Sequence, residues 1–261
     1  MDSSSFRPRL IPVLLVHENA LVKSIQFKNH RYLGDPLNAA RLFNEMGADE
    51  LIVLDISAGK KKRSIDPKLV ESISNETRMP LAVGGGVSDL STIRQLIEAG
   101  AEKIIIGSAA IENPSFVAAA CTAFGSSTIT VCLDVKQSFF GKHYIATQNG
   151  QIAHPVDVVK TAIDMEKMGV GELILQSIQS DGTMKGYDIK TLQEIDQAVS
   201  IPIVALGGAG TMTDIQTLRQ QTTISAFAAS SLFVYHGKNK GFLIHYPSAQ
   251  VRKELLLKPS L

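Results

Sequence analysis

The chain has 261 residues, of which 44% are hydrophobic and 20% charged, and a formal net charge of +1. That is an ordinary globular composition with material for a sizeable core, and so even a charge balance gives no ground for a nucleic-acid or membrane-surface partner. The polar start, MDSSSFRPR, lacks an apolar leader, no run reaches the ~18 apolar residues that span a bilayer, and the chain is expected to be cytoplasmic.

The elements then follow in chain order. Strands are predicted over residues 10–16, 50–56, 81–83, 103–106, 128–135, 172–177, 203–206 and 225–229. Most are separated by amphipathic stretches such as NAARLFNEMGA, where apolar residues recur at helical spacing and Gly47 is the stop. Lys60, Lys61, Lys62 and Arg63 form a basic run beside the second strand, read as a solvated loop face in preference to an anion site. Cys121 and Cys132 have no metal or redox spacing, and the six histidines form no ligand motif. No metal and no cofactor are therefore expected. Eight strands with intervening helices predict an α/β fold, a closed (β/α)8 TIM barrel, with a doubly wound open sheet as the alternative. No linker divides the chain, so one domain is expected over 1–261.

An internal repeat favours the barrel. Gly47-Ala48-Asp49-Glu50-Leu51 matches Gly169-Val170-Gly171-Glu172-Leu173, and Pro80, Gly85-Gly86 and Gly107-Ser108 match Pro202, Gly207-Gly208 and Ala229-Ser230, all at an offset of 122 residues. This implies two half-barrels, about 9–122 and 123–237. The first and fifth strands align as well, setting Leu15 against Asp134.

Glycine clusters end the third strand (Gly84, Gly85, Gly86) and the seventh (Gly207, Gly208). Glycine lets backbone N–H groups approach an anion without a Cβ in the way. Gly107-Ser108 and Ala229-Ser230 end the fourth and eighth strands. Two phosphate sites facing each other across the C-terminal rim are expected, although glycines there also serve tight turns. Three acids fall at strand ends. Asp134 closes an apolar run, where an idle carboxylate would cost desolvation energy, and is read as an acid–base group. Asp55 and Asp181 are open between a catalytic and a turn role.

Several stretches together resemble the cyclase subunit of imidazole glycerol phosphate synthase, a histidine-biosynthesis lyase: DELIVLDIS, PLAVGGGV, AEKIIIGSAAIENPS, FGSSTITVCLDVK, SDGTMKGYD and GGAG. The match runs from about Arg9 to about Phe233. The resemblance implies a two-fold symmetric (β/α)8 barrel that binds a bis-phosphorylated ribonucleotide across its mouth and receives ammonia from a class I glutaminase on its N-terminal face. It also implies two catalytic aspartates, at the ends of strands one and five. Asp134 matches the second, but Leu15 stands at the first and cannot move a proton. Lys23 matches the family's loop lysine, which bears on the ligand. Around it the pattern departs: Ser24 replaces a glycine, Glu18-Asn19 an Asp-Gly turn, Gly107 an asparagine, Gln176 a threonine and Leu206 a serine.

Arg9, Glu50, Lys103 and Glu172 match the salt-bridge gate that closes the family's ammonia tunnel. The departures imply a paralogue that keeps scaffold, anion sites and ammonia route but has left the standard cyclisation. One branch of the family is linked to amidation or amidination of nucleotide-linked sugars for surface polysaccharide, with a third protein, an amidotransferase, receiving the ammonia. Two other readings stand beside it: a working histidine-pathway cyclase, and a non-catalytic activator of its glutaminase.

Overall fold

A computed structural model describes residues 8–138, 141–237 and 241–256. The first seven residues, most of the polar start, lie outside them. Eight strands form the frame: β1 (Arg9–His17), β2 (Leu51–Asp55), β3 (Leu81–Gly84), β4 (Lys103–Ile106), β5 (Ile129–Gln137), β6 (Glu172–Ser177), β7 (Ile203–Leu206) and β8 (Ala226–Ala229). Each pairs in parallel with the next, and β8 pairs with β1, so the sheet closes into an eight-stranded parallel barrel. A doubly wound sheet would have left two open edges.

Closure explains the strand sequences. A strand covered on both faces needs apolar residues at consecutive positions rather than alternate ones. β3, β7 and β8 are buried at every residue, and β1 at all but its two ends. One apolar cluster lies between strands and helices and includes Leu10, Phe43 and Phe227. A smaller one fills the barrel and includes Ile11, Val13, Ile52, Ala82, Ile174 and Val204. The helix predicted ahead of Gly47 spans Pro36–Glu45, capped by the Asp35 side chain with Pro36 in its first turn. Gly47 ends it at φ +69°, its N–H bonding Asn44 O.

Two hairpins were not foreseen. Ala20–Ile25 and Lys28–Gly34 extend β1, and His143–Thr147 with Ile152–His154 extend β5. Their turns are left-handed pairs, Gln26 and Phe27 in one, Gln148 and Asn149 in the other. Gln and Phe are poor left-handed residues, so the first turn carries no sequence signal. The second did carry one, since Asn149 precedes Gly150. No described helix is long and apolar enough to cross a membrane.

Candidate functional site: the two ends of the barrel

At the C-terminal ends of the strands the two hairpins stand over a cavity of about 660 Å³. That is the size of a small-molecule site, at the face where barrels of this kind carry their chemistry. Leu15, Leu54, Ile105, Cys132, Asp134 and Gln176 form the floor, and Gly85, Gly86, Gly107 and Ser108 one wall. β1 and β5 lie on opposite sides of the ring, so Leu15 and Asp134 belong to opposite sides of one cavity.

Asp134 is the chemically distinctive group there. Burial among apolar neighbours pushes its carboxyl up to about 7. The Cys132 thiol, 3.7 Å away, opposes the rise, and the charge of Asp181 adds to it. Cys132 is itself pushed well up by burial and then by Asp134, so it stays a thiol. An acid that titrates near neutrality can give and take a proton. The sign of its effect on stability follows. The folded state holds this proton more tightly than an unfolded Asp at 3.8. The group therefore contributes fully below about pH 4 and loses that contribution as the pH rises to about 7. Asp134→Asn is expected to flatten the fall in melting temperature between about pH 5 and 8, and to be the more stable protein at the upper end. Parallel thermal melts across that range check this.

The glycine clusters have a packing cause. A Cβ on Gly85 would lie 2.4 Å from Asp55 O and one on Gly86 1.9 Å from Arg63 O, at φ +120° and +66°. On β7 a Cβ at Gly207 would meet Ser177 O at 2.8 Å, and one at Gly208 would meet Gly186 O at 2.0 Å. Each cluster lets the preceding βα loop lie against it. Gly86→Ala is expected to destabilise by about 3 kcal/mol, from overpacking and positive-φ strain together, as read by urea unfolding. The clusters differ in exposure: Gly86 is exposed and Gly85 half-buried, whereas Gly207, Gly208 and Ala229 are buried and Ser230 half-buried.

The other candidates fall elsewhere. Lys23 and Asp181 form a buried ion pair at 3.0 Å, away from the cavity lining. With Gln26 N–H donating to Asp181 O, this pair fastens the first hairpin to the loop after β6. Asp55 accepts from the Ser57 N–H and hydroxyl and pairs with Arg63 at 2.7 Å, holding the loop after β2. Among the residues near Leu15, His17 stacks on His30 and Glu18 pairs with Lys61.

At the opposite end four side chains close a ring. Arg9 bonds both Glu50 and Glu172, and Lys103 bonds Glu50 at 3.2 Å and Glu172 at 2.8 Å. Every acid thus touches both bases, the arrangement that makes buried charge tolerable. Burial alone would lower the Arg9 guanidinium, but the charges of Glu172 and Glu50 outweigh it and hold it above its ordinary value. Between ring and mouth lies the apolar interior, where Thr130 has a buried hydroxyl with no partner.

Residues 9–240 match the family described as "Histidine biosynthesis protein". Proteins of Leptospira borgpetersenii and Leptospira interrogans, both named "Putative imidazole glycerol phosphate synthase subunit HisF", are 47% and 43% identical, each over 95% of this chain and 98% of its own length. A Vibrio vulnificus protein named "Putative imidazole glycerol phosphate synthase subunit hisF3" is 42% identical over 96% of both chains. The chain belongs to the HisF family, the cyclase subunits of imidazole glycerol phosphate synthase.

HisF-type cyclases pair with a glutaminase at the family level. In this HisF-family barrel the structure brings Asp134, Leu15 and the β3–β4 glycines to one cavity. It keeps Lys23, Asp181 and the β7–β8 glycines out of that cavity's lining. Sequence reasoning missed Cys132 and Gln176 as neighbours of Asp134. Residue alternation along β5 gave the first, because Cys132 and Asp134 are two apart and share a face. Gln176 is the register partner of Asp134 on β6, which the sequence does not specify.

Proposed function

We propose that this barrel carries ammonia from a class I glutaminase to a sugar-linked acceptor, by way of a third amidotransferase protein, and has left the histidine-pathway cyclisation. The observation that carries it is Leu15. It is 7% exposed and lines the same cavity as Asp134, so an apolar side chain stands where the family's reaction needs a second proton-transfer group. The ring of Arg9, Glu50, Lys103 and Glu172 supports the conduit half of the reading, as a gate on the N-terminal face where the glutaminase docks. A phosphorylated ligand at the mouth is supported by the open turn at Gly85 and Gly86. The hairpins that follow β1 and β5 alike support a doubled half-barrel. The raised carboxyl of Asp134 favours a barrel in which proton transfer still occurs over a bare activator of the glutaminase.

The test is association with the class I glutaminase encoded beside it, read by sedimentation, with cross-links mapped to the face around Arg9 and Glu172. A complex through that face is expected. Absence of a complex, or cross-links only at the mouth, overturns the reading.

A further inference from the structure

The basic run Lys60, Lys61, Lys62 and Arg63 was read as a solvated loop face, and the structure puts it elsewhere. Lys60, Lys62 and Arg63 line the mouth cavity beside Gly85 and Gly86, with His30 across from them on the first hairpin and the Ser88 and Ser108 side chains on the same wall. Two of the four cations are committed. Lys61 pairs with Glu18 outside the lining, and Arg63 pairs with Asp55. Lys60 and Lys62 are exposed and have no ion pair among the described residues. The cavity's acids are otherwise engaged: Asp89 caps its helix through Thr92, and Glu112 accepts from Gln148.

The far side of the mouth is built differently. Gly207, Gly208 and Ala229 are buried, and none of them lines the cavity. The loop after β6 lies over them, with Gly186 N–H donating to Gly208 O at 2.9 Å, and that loop is tied down by the buried Lys23–Asp181 pair. Its one lysine beside the glycines, Lys185, is exposed and away from the cavity lining. Sequence symmetry suggested two equal phosphate sites far apart. The structure has one open turn with two uncommitted lysines beside it, and one closed turn.

We infer that the mouth binds a single compact polyanion, a diphosphate such as that of a nucleoside diphosphate ester, held by Lys60 and Lys62 against the Gly85–Gly86 turn, with the rest of the ligand reaching toward Asp134. One phosphate cannot engage two lysines and a turn as fully as two linked ones, and phosphates at opposite ends of a molecule would leave one of them at the closed β7–β8 side. The cavity volume accommodates a nucleotide-sized body. The inference rests on reading the mouth as a ligand site and does not depend on ammonia delivery.

Calorimetry with inorganic pyrophosphate, orthophosphate and a hexose 1,6-bisphosphate tests it on the intact protein. Pyrophosphate is expected to bind about tenfold more tightly than orthophosphate, as two exposed charge contacts would give, and more tightly than the hexose bisphosphate. The K60A/K62A double variant should lose that preference while keeping its melting temperature, and K185A should retain it. Equal binding of the two inorganic ions overturns the inference. So does tightest binding of the hexose bisphosphate, or a preference that survives in K60A/K62A. Because binding is read directly, any of these leaves the reading of the N-terminal ring untouched.

Discussion

Supplied with the histidine-pathway ribonucleotide and ammonium salts, the purified barrel is expected to show negligible cyclisation. The family's ring closure uses two carboxylates, and this mouth offers Asp134 on one side and Leu15 on the other. Neither nearby polar residue substitutes. His17 lies against His30 and Glu18 against Lys61, and both fall outside the cavity lining. Loss of one general acid or base costs about 10²–10⁴-fold, and Gln176 and Leu206 alter the surroundings further. Leu15→Asp is expected to raise the residual rate, because it restores a titratable group on the side facing Asp134. Steady-state assays of both proteins check this. Turnover of ~1 s⁻¹ or more by the wild type, the ordinary level for an enzyme, would restore the working-cyclase reading.

The second large effect is on stability. Glu50 is 3% exposed at its side chain and accepts from both Arg9 and Lys103. Glu50→Ala leaves two cations sharing Glu172 alone. Breaking a buried pair this way costs about 3–5 kcal/mol. The expectation lies at the lower end, because Arg9 and Lys103 keep 25% and 21% of their side chains in water. Urea unfolding reads it directly. Glu18→Ala, which removes an exposed partner of Lys61, should leave the midpoint where it was.

How much of this was legible beforehand depends on range. The barrel strands were legible because burial on both faces writes itself as continuous apolar runs. Only their ends moved, with the second strand starting at Leu51 rather than Glu50 and the fifth running on to Gln137. The hairpins were hidden because their strands are short and polar; Lys28–Gly34 is exposed over its first five residues. Asp134 was legible as a carboxylate at the end of an apolar strand. The fate of Lys23 was not. Its partner Asp181 is 158 residues away, and nothing local marks a lysine for burial. The exposure difference between the two glycine turns was equally hidden, since the repeat makes them look alike. It arises from which loop packs over each, a tertiary outcome.

The most direct measurement of the central claim compares two nitrogen sources. Barrel, cognate glutaminase and acceptor enzyme are combined, and product formation is measured with glutamine and then with ammonium salts. Opening the ring by Arg9→Ala or Lys103→Ala should lower the glutamine-dependent rate and leave the ammonium-dependent rate unchanged, because external ammonia bypasses the gate while the mouth is intact. If both variants couple glutamine hydrolysis to product as well as the wild type, ammonia does not pass between these side chains, and the ring only plugs the barrel.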